Sequence, residues 1–247
     1  MKLSSFLASS SLLLATAAAP AACGGGDSPP AFDAHFKTAS QEQIARAVSA
    51  GAGYDYGLAF FLGAAYSGIE NPTGCPAVTV SGSVTTVTGG CDTDDGHIDG
   101  TIVLDNVPGL FGGDANPTRA QSLTFEGWRM TSPDEDDVAI DGTIVVEAGH
   151  ATVDLTVDLG GMVADSSFEM VCSTGDGGPC GPADGGWIDV DGLGGAAVSG
   201  AWTLGDPPSG KLTLTGADTF VLDFDNAGSD GCVPYAIDGA AAGELCQ

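Results

Sequence analysis

Val153, Leu155, Val157 and Leu159 alternate with Asp154, Thr156 and Asp158. Successive side chains of a strand point to opposite faces, so a strict period of two writes a strand with one buried and one wet face. The same period runs through Ile140, Gly142, Ile144 and Val146, which alternate with Asp141, Thr143, Val145 and Glu147. Ala148-Gly149-His150 reads as the hairpin connection between the two. Further strands are predicted at 77–80, 84–87, 98–104, 122–130, 167–172, 187–190, 197–204, 211–215, 219–225 and 235–239. Gly, Asp and Pro fill the turns between them. Many short strands with such turns predict a mainly β chain: a strongly curved antiparallel sheet, as a sandwich or partial barrel. Dyad alternation is also the mark of outer-membrane barrels, but only 7% of residues are aromatic and they form no girdles.

One motif says how the sheet bends. Ile98-Asp99-Gly100-Thr101-Ile102-Val103 recurs as Ile140-Asp141-Gly142-Thr143-Ile144-Val145. Val198-Ser199-Gly200-Ala201-Trp202 and Ile237-Asp238-Gly239 are looser versions. Each sets a glycine on the apolar face between large residues. An inward glycine lets a sheet coil sharply or lets another element approach. The expected visitor is the apolar stretch Tyr54–Tyr66, with Leu58, Phe61, Leu62 and Ala65 at helical spacing. At thirteen residues it is too short to span a bilayer. A first helix is predicted ahead of it, with Ser40 and Gln43 as a capping box and Ile44 and Val48 on one face. Gly51 and Gly53 weaken or break the helix between the two.

The N-terminus reads as an address. Lys2 and the apolar run Phe6–Ala19 form a signal peptide over residues 1–22. Residues 23–30 open with Cys23 and continue Gly-Gly-Gly-Asp-Ser-Pro-Pro, a flexible tether. Residues 31–70 form the helical segment and 71–247 the β domain. There are seven cysteines. If Cys23 carries lipid, six remain, an even set for an oxidising compartment. Six Cys allow 15 connectivities; local spacing favours the one that joins Cys75 to Cys91 across a Thr/Val hairpin, Cys172 to Cys180 across a Gly-rich loop, and Cys232 to Cys246 near the C-terminus. No Cys-x-x-Cys occurs, and no Cys stands at zinc-finger spacing from a His.

Pro20-Ala21-Ala22-Cys23 resembles the lipobox of bacterial lipoproteins, although Pro20 stands where that family prefers Leu. The stretch 74–100, with its Cys-Pro, Thr/Val hairpin, Gly-Gly-Cys and Asp-rich turn, is similar to lipoproteins of myxobacteria and their relatives. Gly-Cys-Val-Pro-Tyr-Ala-Ile-Asp-Gly at 231–239 adds to the likeness. The resemblance implies export, acylation at Cys23, membrane attachment through that acyl anchor and outer-membrane sorting, with either leaflet face open. It implies no reaction. Cleavage after Ala21, giving a free secreted protein, is the alternative.

Composition excludes one class of partner. Six basic residues stand against 33 acidic ones, a formal charge of −27. Nucleic acid demands a Lys/Arg footprint. An envelope protein or a glycan is the partner class that remains. The three histidines are His35, His97 and His150. No Gly-x-Ser-x-Gly elbow or His-Glu-x-x-His motif accompanies them. His35 and His150 read as solvated. His97 follows Asp92-Thr93-Asp94-Asp95-Gly96. With its neighbouring Asp residues it is the one nameable candidate for a secreted hydrolase. Asp92, Asp94 and Asp95 crowd a Gly-containing turn, the chemistry that hard Ca²⁺ prefers, although an EF-hand frame would begin at Cys91 and lack its closing Glu. The leading expectation is a non-enzymatic envelope lipoprotein serving as a binding or structural module. A calcium-ordered surface adhesion or accessory module is the further alternative.

Overall fold

The computed structural model describes residues 28–67, 74–93, 96–107, 119–133, 136–147, 150–172, 180–182, 186–203, 209–228 and 231–246. Two helices come first, α1 (Gln41–Ala52) and α2 (Tyr54–Ser67). Fifteen strands follow: β1 (Ala77–Ser81), β2 (Val84–Thr88), β3 (Cys91–Thr93), β4 (Gly96–Asp105) and β5 (Gln121–Thr131). Then come β6 (Val138–Glu147), β7 (His150–Leu159), β8 (Met162–Cys172), β9 (Cys180–Pro182) and β10 (Trp187–Val190). The last are β11 (Gly194–Thr203), β12 (Ser209–Thr215), β13 (Thr219–Asp223), β14 (Cys232–Ile237) and β15 (Ala240–Cys246). All pair antiparallel in one sheet of order β1-β2-β4-β5-β6-β7-β8-β10-β11-β12-β13-β14-β15. β3 adds to β4, and β9 bridges β8 and β11. The sheet does not close on itself, so β1 and β15 are its two ends.

The helix boundaries follow from local chemistry. Ser40 accepts from the Gln43 N–H, and the Gln43 side chain accepts from the Ser40 N–H, satisfying two otherwise orphaned donors. Gly53, at φ 83°, ends α1 in the left-handed conformation and α2 starts at once. Gly51 does not break α1. It is buried there, and a Cβ on it would lie 2.8 Å from Leu214 Cδ2. Phe61 departs from the expected packing, because it is 44% exposed.

Both helices lie on one face of the sheet and share its core. α1 packs on β8, β10 and β12, and α2 on β2, β4, β6 and β7. The core unites Phe36, Ile44 and Ala47 with Ile102, Leu123, Phe125, Trp128, Ile144, Ile188, Trp202, Leu212 and Phe220. Fully burying one such Leu, Ile or Phe stabilises by roughly 1.5–3 kcal/mol. Trp202 Nε1 donates to the Ala52 carbonyl at 3.2 Å, pinning the end of α1 to β11.

Gly100, Gly142 and Gly200 of the repeated motif stand at close backbone approaches, whereas Gly239 lies in the turn between β14 and β15, the strand expected over 235–239 ending at Ile237. Gly142 has φ 114°, and a Cβ there would lie 2.1 Å from the Asp154 carbonyl of the next strand. Gly200 has φ 117°, and its Cβ would lie 2.2 Å from the Lys211 carbonyl. No L side chain fits either place, so neighbouring backbones approach where a Cβ would stand. At Gly100 the register with β5 shifts between Asp99 and Thr101. Such a bulge bends and twists the strand.

Both described disulfides staple an end of the sheet. Cys75–Cys91 ties the entry of β1 to β3, and Cys232–Cys246 joins β14 to β15. The β8–β9 register sets Cys172 opposite Cys180, while their side chains lie outside the described residues. Residues 1–27, with the signal peptide and Cys23, also lie outside them. The 219–225 strand is shorter than its pattern suggests, ending at Asp223 before a 3₁₀ turn over Phe224–Asn226. His150 is the first residue of β7, paired with Glu147, rather than part of the turn.

Candidate functional site

The antiparallel order collects one set of strand ends along a single rim. The beginnings of β4, β6, β8 and β11 meet the ends of β3, β5, β7 and β10 there. Asp92, Asp136, Asp137, Asp158, Asp189 and Asp191 lie at or beside these strand ends, and so does His97.

β3 folds back on β4 so that Asp92 stands opposite His97. Asp99 follows two residues later on the same face of β4. His97 Nδ1 is 2.7 Å from Asp92 Oδ1, and Nε2 is 3.2 Å from Asp99 Oδ2. A neutral imidazole has one N–H, so it can donate to only one of the two; the imidazolium donates to both. The Asp92 hydrogen bond, helped by Asp99, therefore raises the His97 pKa above its ordinary value. A shallow groove of about 510 Å³ surrounds the ring, lined by Asp92, Thr93, Gly96, His97, Thr131, Ser132 and Pro133.

The residue types expected of a hydrolase thus do meet: His97, two carboxylates, and hydroxyls from Thr131 and Ser132. In the arrangement seen, His97 is held as an ion-pair partner by both carboxylates. A general base needs a ring nitrogen with a lone pair facing the nucleophile, and both nitrogens of His97 face carboxylates. The ring is also 40% exposed and Asp92 89% exposed, so water screens the cluster.

A second groove of about 350 Å³ adjoins on the same rim, lined by Arg129, Asp136, Asp137, Asp158, Gly160 and Gly161. Arg129 on β5 stands opposite Asp99 on β4 and pairs with Asp137 at 3.1 Å. Further along, Asp189 of β10 sits directly opposite Asp165 of β8. Partial burial, and then the charges of Asp165, Asp33 and Asp191, raise the Asp189 carboxyl above its ordinary pKa. At the far end, Lys37 pairs with Asp218 at 2.9 Å and with Asp238, and lowers both carboxyls.

Of the calcium triad, Asp92 is engaged with His97, while Asp94 and Asp95 lie outside the described residues. Among the described residues, no group of three or more His, Cys, Asp or Glu is arranged to hold a metal ion. His35 is exposed, and His150 Nδ1 lies 2.5 Å from Glu169.

Sequence reasoning missed the most buried polar cluster. Arg46 of α1 and Asp55 of α2 form a bidentate pair at 2.9 and 2.7 Å, with side chains 4% and 2% exposed. Arg46 also donates to the carbonyls of Val157 and Met162, and Ser49 donates to Asp55. The cluster clamps both helices onto the strand ends that flank the β7–β8 turn, which is itself part of the rim. Every described Lys and Arg is engaged with an acid: Lys37, Arg46, Arg119, Arg129 and Lys211.

No family profile matches the chain, and neither a curated protein nor a solved structure does. Among the described residues no helix is long and apolar enough to cross a membrane.

Proposed function

We propose that this chain is an exported, lipid-anchored envelope module that works by binding or by structure rather than by catalysis. The observation that carries the reading is the placement of the two described disulfides, one at each end of the open sheet. Such bonds persist in oxidising compartments. Each adds about 3 kcal/mol, mainly by restricting the unfolded chain, and each holds an end hairpin that has a neighbour on one side only. Signal peptide, Cys23 and tether supply the route and the anchor. The bound state of His97 supports the non-catalytic half of the proposal. With its cations engaged, the rim offers a partner an acidic face, which suits an envelope protein or glycan presenting donors or positive charge.

Expression in a Gram-negative host fed radiolabelled palmitate tests the anchor. Label on the wild type that Cys23→Ser abolishes, with release of the variant into the soluble fraction, supports it. An unlabelled soluble wild type overturns it and leaves the free secreted form. Ester or glycoside hydrolysis by the purified protein that His97→Ala removes would restore the hydrolase reading.

A further inference from the structure

The two ends of the sheet are built differently. At one end, β14 carries Pro234, the β14–β15 register shifts between Tyr235 and Ala236, and edge strand β15 holds Glu244. Proline, bulges and charge are the means by which proteins keep a sheet from accepting another strand. Within β1 itself, at the other end, there is none of these, and Pro76 stands just ahead of the strand. β1 reads Ala-Val-Thr-Val-Ser and pairs, among the described residues, with β2 only. From Ala77 to Thr88 the ribbon carries no charged residue, in a chain of formal charge −27. Val80 is 70% exposed, the most of any large hydrophobic among the described residues. Its neighbour on the same face, Val78, packs against the core. The Cys75–Cys91 disulfide fixes the ribbon at its base.

The strand is also self-complementary. Val78-Thr79-Val80 reads the same in both directions. Paired antiparallel with its own copy about Thr79, it sets Thr79 opposite Thr79, Val78 opposite Val80, and Ala77 opposite Ser81. β-branched residues facing one another are favourable cross-strand pairs. The exposed Val80 of each copy would then lie beside Val78 of the other. A two-fold axis through this edge is isologous and closes at two copies. The ribbon's lack of charge selects the occupant: two strongly acidic molecules meet with least repulsion where neither bears a charge.

We propose that β1 is a self-association edge, through which two copies pair antiparallel about Thr79 into one continuous sheet. A five-residue pairing is small, in the range below about 1,200 Å² where association is weak. The experiment is sedimentation velocity on the Cys23→Ser form, so that no acyl chain contributes, over a concentration series reaching several hundred micromolar. A monomer–dimer equilibrium is expected. It should tighten when NaCl is raised, because salt screens repulsion between the two acidic bodies. Val80→Lys should weaken it at least tenfold, about 1.4 kcal/mol, without moving the melting midpoint, since Val80 is exposed. Thr79→Cys should give a covalent dimer under mild oxidation, and Thr86→Cys, on the inner neighbour strand, should not. A monomer throughout the series overturns the proposal. So does a dimer indifferent to Val80→Lys, or growth beyond two copies.

Discussion

Two carboxylate clusters on this molecule differ in their surroundings, one buried between the helices and one on the rim. Inside, Asp55 is held by Arg46 and Ser49 with almost no solvent contact. Outside, Asp92 and Asp99 hold His97 in water. The hydrogen-bond lengths are alike, so distance does not separate them. Dielectric does: the same pair of charges interacts several times more strongly where water is excluded, and leaving one of them alone there is correspondingly costly. The interior cluster fixes where the helices sit, whereas the rim cluster remains open to exchange partners with whatever approaches it.

Breaking the interior pair should give the largest effect. Arg46→Ala strands Asp55 in the core and removes donors from the Val157 and Met162 carbonyls. A loss of about 3–5 kcal/mol is expected by urea titration. Arg46→Met with Asp55→Leu should recover most of it, because no buried charge is then unpartnered. If the double variant is as unstable as the single one, the cluster is not what seats the helices. Reducing the end staples comes next. Cys75→Ser with Cys91→Ser removes a closure of 16 residues and should cost about 3 kcal/mol. Proteolysis should then cut first within β1–β3, leaving the helix-covered centre intact. Cleavage beginning in the helices would contradict this order.

The interior and the rim were unequally legible in the sequence. The long strands were plain, because a sheet wet on one side writes its burial as alternation: Ile102 and Leu104 inward with Val103 between, Val153 to Val157 likewise. The glycine motif announced the bend because a gap in an apolar stripe has few other meanings. β3 and β9 were not legible, since three residues are too few to show a period. β15 was hidden by its composition, Ala-Ala-Ala-Gly, which has no strand preference. The Asp92–His97 contact depends on a turn tight enough to reverse β3 onto β4, and proximity in sequence did not reveal that the two would face. Arg46 and Asp55 are nine residues apart, a spacing that no continuous helix brings together. Only the break at Gly53 makes them neighbours. A signal did exist: Arg46, one of six basic residues, interrupts the apolar stretch from Ile44 to Val48, and a cation buried there needs a partner.

On the rim the effects should be small and pH-dependent. The His97 pKa is raised in the folded state, so its contribution is full below its ordinary value of 6.5 and disappears as pH rises through the folded value. His97→Gln should therefore lower the melting midpoint slightly at a pH below 6.5 and leave it unchanged at a pH well above the raised folded value. An equal loss at both pH values would mean that the ring acts by packing and not by charge.

Asp189 should give the smallest effect, of opposite sign. Its folded carboxyl is raised, chiefly by burial and then by Asp165, Asp33 and Asp191, so ionised Asp189 opposes folding. That penalty is full above its folded pKa and is gone below its ordinary value of 3.8. Asp189→Asn should thus stabilise at neutral pH, within about 0.5 kcal/mol, and the gain should vanish as the carboxyl protonates. Salt should mimic the substitution, because mobile cations screen the same repulsion. Ca²⁺, Mg²⁺ and NaCl at matched ionic strength should raise the wild-type midpoint alike, and each should help Asp189→Asn less. A rise selective for Ca²⁺ would break that equivalence. Were Asp189→Asn to abolish it, the carboxylates of the rim would be cation ligands, and binding assays would have to be run with the ion present. Were the rise untouched by Asp189→Asn but lost in Asp92→Asn, the ion would belong to the β3–β4 turn, and His97 would have to give up Asp92 to admit it.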